Sequence, residues 1–237
     1  MLNKRHQKPG FTPLMLKLVL CFLSTGFISA NSLANETALY DLAPKGSAFL
    51  RLIDLRKDYS FPNQRDYQSN DKLTVKIKGK RLSTEAYCSA SEFVYLPPGD
   101  YRKQINGMDW KGRLQPEQAY SLVVDHQSVR LIEDYLVADP HRALLAVHNY
   151  SNLPLLSLQT AKSAQAVFTN IPQSKTIARV INPVKSAFAV IDNGKSRAVR
   201  IATTNATIFQ PGVLSSLFIC ADQAGVFTRW ADGMGAQ

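Results

Sequence analysis

The sequence predicts an all-β protein of two β-sandwich domains in tandem behind a leader peptide, and three observations carry that prediction. Short apolar–polar alternations recur along the chain, as in residues 73–78, Leu-Thr-Val-Lys-Ile-Lys. Turn residues interrupt them at short intervals: Pro97-Pro98-Gly99-Asp100, Asn106-Gly107 and Asp192-Asn193-Gly194-Lys195. No stretch holds apolar residues at i, i+3, i+4 and i+7 over three turns, so the period is that of strands and not of helices.

The chain opens with a segment that is read as a secretory signal rather than as a fold element. Lys4, Arg5 and Lys8 precede an apolar run over residues 14–23, broken only by Lys17, and Ser32-Leu33-Ala34 offers small residues at the positions a peptidase reads. Residues 1–34 are therefore expected to be removed, and export from a Gram-negative cytoplasm would place the remainder in the periplasm. Residues 35–138 are expected to form the N-terminal sandwich and residues 139–237 the C-terminal one, with the join near Val137-Ala138-Asp139-Pro140.

In the first half, strands are expected at residues 49–52, 73–78, 93–96, 101–105, 108–114, 120–124 and 129–132. Gly79-Lys80 is read as a turn and Asn106-Gly107 as the tip of a hairpin. Residues 55–71 carry Arg56, Lys57, Asp58, Arg65, Asp66 and Asp71 with little alternation, which reads as a long exposed loop. In the second half, strands are expected at 143–148, 155–158, 166–168, 176–181, 186–191, 197–202, 214–221 and 226–230. One or two helical turns are expected over 160–166. Gln115-Pro116 before one strand and Gln210-Pro211 before another suggest that the halves are duplicates.

Composition narrows the class. The 237 residues carry a formal net charge of +10 and 45% hydrophobic side chains, a globular composition with room for one large core or two smaller ones. Beyond the leader, residues 35–138 hold 15 basic and 14 acidic groups, and residues 139–237 hold 9 and 4. The positive excess belongs to the second half, where Lys175, Arg179, Lys185, Lys195, Arg197 and Arg200 are the candidate contacts to an acidic partner or polymer. Nucleic acid is a poor candidate for an exported chain. Cys88 and Cys220 fall in different expected domains and are read as buried free thiols, although an oxidising compartment would permit a bridge.

Catalytic patterns are missing from the sequence. There is no Gly-x-Ser-x-Gly elbow, no phosphate-cradling glycine loop and no Cys-x-x-Cys, and His126, His141 and His148 lack metal-site spacing. Asp139-Pro140-His141 brings a carboxylate near an imidazole, but it lies in the expected join and is read as a solvated joint. His148 is expected at the surface, at the end of a strand. No catalytic, cofactor or metal site is assigned.

Three stretches resemble a known family. Ala38-Leu39-Tyr40 leads to Ala43-Pro44-Lys45-Gly46-Ser47-Ala48-Phe49. Leu96-Pro97-Pro98-Gly99-Asp100-Tyr101 and Ile181-Asn182-Pro183-Val184-Lys185 follow in order. With Tyr40, Pro44, Lys45, Gly46, Pro97, Pro98, Gly99, Asp100, Tyr101, Asn182, Pro183 and Lys185 as its marks, the chain resembles the alginate biosynthesis protein AlgF family. That resemblance implies a periplasmic component of alginate O-acetylation. It implies partnership with a membrane-bound O-acyltransferase and periplasmic acetyltransferases that place acetyl groups on mannuronate residues. It transfers no catalytic residue. The expectation is a non-catalytic interaction subunit; a polyanionic-polysaccharide-binding module, or an acetyl carrier or acetyltransferase, stands as the alternative.

Overall fold

The computed structural model describes residues 43–56, 72–194 and 197–235. No helix occurs among them. The first half contains β1 (Ala48–Leu55), β2 (Thr74–Ile77), β3 (Lys80–Ser83), β4 (Ser89–Ala90), β5 (Val94–Leu96), β6 (Gly99–Ile105), β7 (Met108–Leu114), β8 (Ala119–Asp125) and β9 (Val129–Glu133). The second contains β10 (Ala143–Tyr150), β11 (Leu155–Thr160), β12 (Ala166–Pro172), β13 (Thr176–Ile181), β14 (Lys185–Ser186), β15 (Phe188–Asp192), β16 (Val199–Thr203), β17 (Thr207–Ile208), β18 (Val213–Asp222) and β19 (Gly225–Gly235). Residues 134–142 join β9 to β10 without a strand.

The strands stack as four layers. The outer layer of the first half consists of the hairpins β2–β3 and β6–β7, and its inner sheet runs β4-β1-β8-β9, with β5 also paired to β1. The inner sheet of the second half runs β13-β10-β18-β19 and its outer sheet β12-β11-β15-β16. One apolar core lies within each half. Leu50, Leu52, Leu122 and Val124 meet Val75, Ile77, Ile105, Trp110 and Leu114 in the first. Leu145, Val147, Leu217 and Ile219 meet Leu156, Leu158, Phe188 and Val190 in the second. Because strand side chains alternate in direction, the other parity of β1, β8, β10 and β18 faces outward, and there the two inner sheets pack against each other. Ile53, Cys88 and Val123 of the first half join Phe218 and Cys220 of the second in a single cluster. Burial on both faces explains why β1 and β10 are buried along nearly their whole length.

The halves are built alike. β1 runs parallel to β8 with Phe49 opposite Ala119, and β10 runs parallel to β18 with Leu144 opposite Leu214. Glu117 donates its N–H to the Ser47 carbonyl at 2.8 Å, and Gly212 donates to the Arg142 carbonyl at the same distance. Each of these donors sits in the left-handed region, at φ 59° and 70°. Cys88 and Ser174, at φ 59° and 58°, donate in the same way to the Asp54 and Asn149 carbonyls. These matched turns support the duplication that the Gln-Pro pairs suggested.

Local chemistry sets the hairpins. Asn106 and Gly107, at φ 50° and 78°, link Ile105 to Met108, the two-residue turn expected of Asn-Gly. The β2–β3 turn is centred one residue earlier than expected, on Lys78-Gly79 at φ 47° and 81°, because Ile77 pairs directly with Lys80. Where one or two helical turns were expected, residues 161–163 form a turn between β11 and β12. The Thr160 carbonyl accepts from Ala164 N, and its hydroxyl accepts from Gln165 N. These bonds close a reversal where a helix would need a continuing ladder. β1 extends to Leu55; the rest of the expected loop, residues 57–71, lies outside the described residues, as do the leader and Tyr40.

Two expectations are overturned by the packing. Cys88 and Cys220 form a disulfide across the inner sheets, closing a separation of 132 residues. The free-thiol reading took two expected domains to mean two separate bodies, whereas the halves share a buried face. His148 is not at the surface: it is 1% exposed, since its position on β10 has the parity that meets the first half.

Candidate functional site

The densest group of chemistry-bearing side chains lies where the inner sheets meet. Arg51 of β1 is wholly buried. Its Nε donates to Ser121 Oγ at 2.8 Å and its Nη1 to Ser216 Oγ at 2.9 Å, while Nη2 pairs with Asp134. Ser121 in turn donates to Asp134 Oδ2 at 2.6 Å. The guanidinium carbon lies 4.8 Å from the Phe93 ring and 5.5 Å from that of Phe218, so the charge is met by aromatic faces as well as by a carboxylate. Burial lowers the Arg51 pKa, with Asp134 opposing that shift.

His148 completes the group. Its Nε2 is 3.5 Å from Arg51 Nη2 and its Nδ1 is 2.8 Å from Thr176 Oγ1. A guanidinium can only donate, so Nε2 accepts, and the ring proton sits on Nδ1 and is given to Thr176. Burial, and then the neighbouring Arg51 charge, push the imidazole down to about 3. Serine, histidine and aspartate are thus gathered as an acyl-transfer site would gather them. However, both imidazole nitrogens are engaged, Asp134 is neutralised by Arg51, and the group is sealed between sheets. Acyl transfer needs an imidazole that reaches the nucleophile and a place for the acyl carbon beside both. This cluster instead holds the halves together. The signal in the sequence was Arg51 itself, a charge set between the apolar pairs Phe49-Leu50 and Leu52-Ile53.

His126 and His141 lie elsewhere among the described residues. His141 donates its backbone N–H to Asp139 Oδ1 at 2.9 Å, which closes a turn. His126 lines a cleft of about 460 Å³ at the rim of the seam, together with Tyr87, Tyr150, Ser151 and Asp222. The Ser151 hydroxyl is already committed there, donating to Asn149 Oδ1 and accepting from Leu153 N. Among the described residues no group of three or more His, Cys, Asp or Glu could hold a metal ion.

The basic side chains do not gather at one point. Lys175, Arg179, Lys185, Arg197 and Arg200 are all exposed. Lys175 precedes β13, Arg179 lies on it and Lys185 lies on β14, and the Arg179 Nη1 reaches the Val167 carbonyl of β12 at 3.0 Å. Arg200 lies on β16, at the edge of the other sheet, and β16 packs beside β19. Lys195 lies outside the described residues. The recognition marks are structural. Gly46 takes φ 79° in the turn that leads into β1, and the Tyr101 hydroxyl donates to the Pro97 carbonyl at 2.5 Å, fastening the Pro-Pro-Gly-Asp turn. Asn182 and Pro183 are exposed between β13 and β14.

The family described as alginate O-acetyl transferase AlgF matches residues 22–203 of the chain. The chain belongs to the AlgF family. The alginate biosynthesis protein AlgF of Pseudomonas aeruginosa is 32% identical over 181 residues, covering 74% of this chain and 76% of that protein. The AlgF of Azotobacter vinelandii is 30% identical, covering 70% of each. A solved structure of the C-terminal domain of the P. aeruginosa AlgF is 25% identical over 39% of this chain and 98% of its own length, at a TM-score of 0.33. Membership in the AlgF family connects the chain to alginate biosynthesis and O-acetylation.

Proposed function

We propose that this chain is a non-catalytic periplasmic interaction subunit of the alginate O-acetylation machinery. The observation that carries the reading is the state of the Arg51–Asp134–Ser121–His148 group: the serine, histidine and aspartate that the fold gathers are buried and mutually satisfied. What remains at the surface is a pair of fused sandwiches whose loops and edges can hold partner proteins. A scaffold of this kind raises the effective concentration of an acetyl donor and acceptor without touching either. Its partners would be a membrane-bound O-acyltransferase and periplasmic acetyltransferases. Co-purification of the tagged full chain with those enzymes tests the reading; recovery of the chain alone, while the other components stay together, would overturn it.

A second reading, a module that binds the polyanionic polysaccharide itself, draws on the charge of the second half. From residue 140 to residue 221 the chain carries one carboxylate, Asp192, and eight basic residues. Asp192 is buried. A groove of about 450 Å³ between β16 and β19 presents Thr203, Asn205, Phe227 and Trp230, a mixture of ring and polar groups suited to a sugar. Binding of purified alginate that weakens with salt would favour this reading, and a titration without salt-sensitive binding would reject it. For an acetyl carrier or transferase, a mass increase of the intact chain after incubation with an acetyl donor is the deciding result.

A further inference from the structure

Resting on the interaction-subunit reading, we infer that an acidic protein surface docks along the β13–β14 edge of the second sandwich. Two independent features coincide there. The first is apolar exposure. Only a few large hydrophobic side chains are exposed among the described residues, and Tyr135, Leu136, Val180 and Val184 belong to this one side. Tyr135 of the joining segment donates its hydroxyl to the Thr176 carbonyl at the start of β13. Val137 packs with Ala178 against Leu144, so the joining segment lies along the strand. Val180, opposite Leu144 and on the same strand face as Ala178, is 51% exposed, and Val184 is 52% exposed. β13 is also the edge strand of its sheet.

The second feature is charge. Lys175 and Arg179 are exposed at β13, Lys185 follows on β14, which pairs with β17 opposite the exposed Ile208, and residues 140–191 contain no carboxylate. The nearest carboxylates in sequence are Glu133 at the end of β9 and Asp139 of the joining segment, both exposed, and Asp134, which is buried against Arg51. An apolar strip with a cationic flank is complementary to a protein surface that combines apolar side chains with Asp and Glu. A polyuronate chain would use the cations and gain nothing from Val180 and Val184, so the exposed valines favour protein over polymer. Arg197 and Arg200 belong to the opposite edge and lie outside the interface.

The test uses the full tagged chain in cells that make acetylated alginate, with the alginate acetyltransferases quantified in the material it retains. Lys175→Glu/Lys185→Glu and Val180→Ser/Val184→Ser are compared with Arg197→Glu/Arg200→Glu, and purified samples of each are checked for an unchanged melting temperature. Retention is expected to fall about tenfold or more for the first two variants and to stay near wild type for the third. It should also fall for the wild type as salt is raised. Equal retention by all three, or equal loss, would overturn the placement of the interface. So would a charge variant that keeps its protein partners and loses binding to purified alginate. If the wild type itself retains no acetyltransferase, the interaction-subunit reading fails first, and that result is distinct from a misplaced edge.

Discussion

The two sandwiches share a plan and differ in what they do with it. Both begin with a strand buried on two faces, and both return through a left-handed residue, Glu117 or Gly212, into a parallel neighbour. At matching places near the end of that first strand, Asp54 and Asn149 use their side chains to hold the chain that leaves it. Asp54 Oδ1 accepts from Arg56 N at 3.0 Å, and Asn149 Oδ1 accepts from Ser151 N at 3.2 Å. The differences lie on the two outward-facing surfaces. At the seam, the first half supplies the cation and its carboxylate, Arg51 and Asp134, while Ala146 occupies the position on β10 that matches Arg51. The first half is charge-balanced, with 15 basic and 14 acidic groups, whereas the second holds 9 and 4 and has a single carboxylate between residues 140 and 221. Turn chemistry holds the architecture in both halves, while the surfaces differ: one closes the molecule and the other carries the excess of positive charge.

That comparison can be broken most forcefully at the seam. Asp134→Ala leaves Arg51 buried with no counter-ion, and we expect a loss of about 3–5 kcal/mol in urea unfolding. Arg51→Met/Asp134→Ala, which removes both charges together, should cost less than either single change. Cys88→Ser removes the covalent tie between the halves and should cost about 2–4 kcal/mol. Alkylation of the denatured wild type without reductant should modify neither cysteine, and modification of both would break the seam as described.

The matching turns offer a finer test. Asn149 Nδ2 donates to the carbonyls of Leu153 and Ile171 at 3.2 and 3.1 Å. Asn149→Asp places a carboxylate oxygen against them and should cost about 1–3 kcal/mol. Asp54→Asn turns an amide against the Arg56 guanidinium, in a pair only 9% and 3% exposed, and should cost about as much. Denaturant midpoints at unchanged m-value would check this pair.

A further test of the seam concerns pH. His148 is held at about 3 in the folded chain against an ordinary 6.5, so between those values the unfolded chain binds the extra proton. Stability is therefore complete above about pH 6.5 and falls toward pH 3, by at most about 1.4 kcal/mol per pH unit from this residue. A His148→Gln variant, measured by thermal unfolding from pH 7 to pH 4, should show a shallower decline.

Much of the architecture was legible because period-2 alternation and Asn-Gly turns act locally. β7 and β13 fall where the pattern places them, at 108–114 and 176–181. The very short strands β4, β14 and β17 left no pattern, since two residues cannot display a period. The stacking of the halves was harder to read. Largely apolar stretches in β1, β8, β10 and β18 signal burial on both faces, but they do not say what covers the second face. With the halves imagined apart, Cys88 and Cys220 became thiols and His148 a surface residue. The basic side chains were visible, whereas their division between the β13–β14 edge and the β16 edge depends on sheet order, which sequence neighbours do not encode.

The measurement closest to the central claim is polymer acetylation in cells expressing the double variant His126→Ala/His141→Ala, with accumulation and partner retention measured alongside. His148 is left untouched because it belongs to the seam. If the chain contributes surfaces and not chemistry, acetylation should stay near the wild-type level whenever the protein accumulates. A folded, complex-bound double variant that leaves the polymer unacetylated would contradict the account and return Asp139-Pro140-His141 and the His126 cleft to consideration as a catalytic centre.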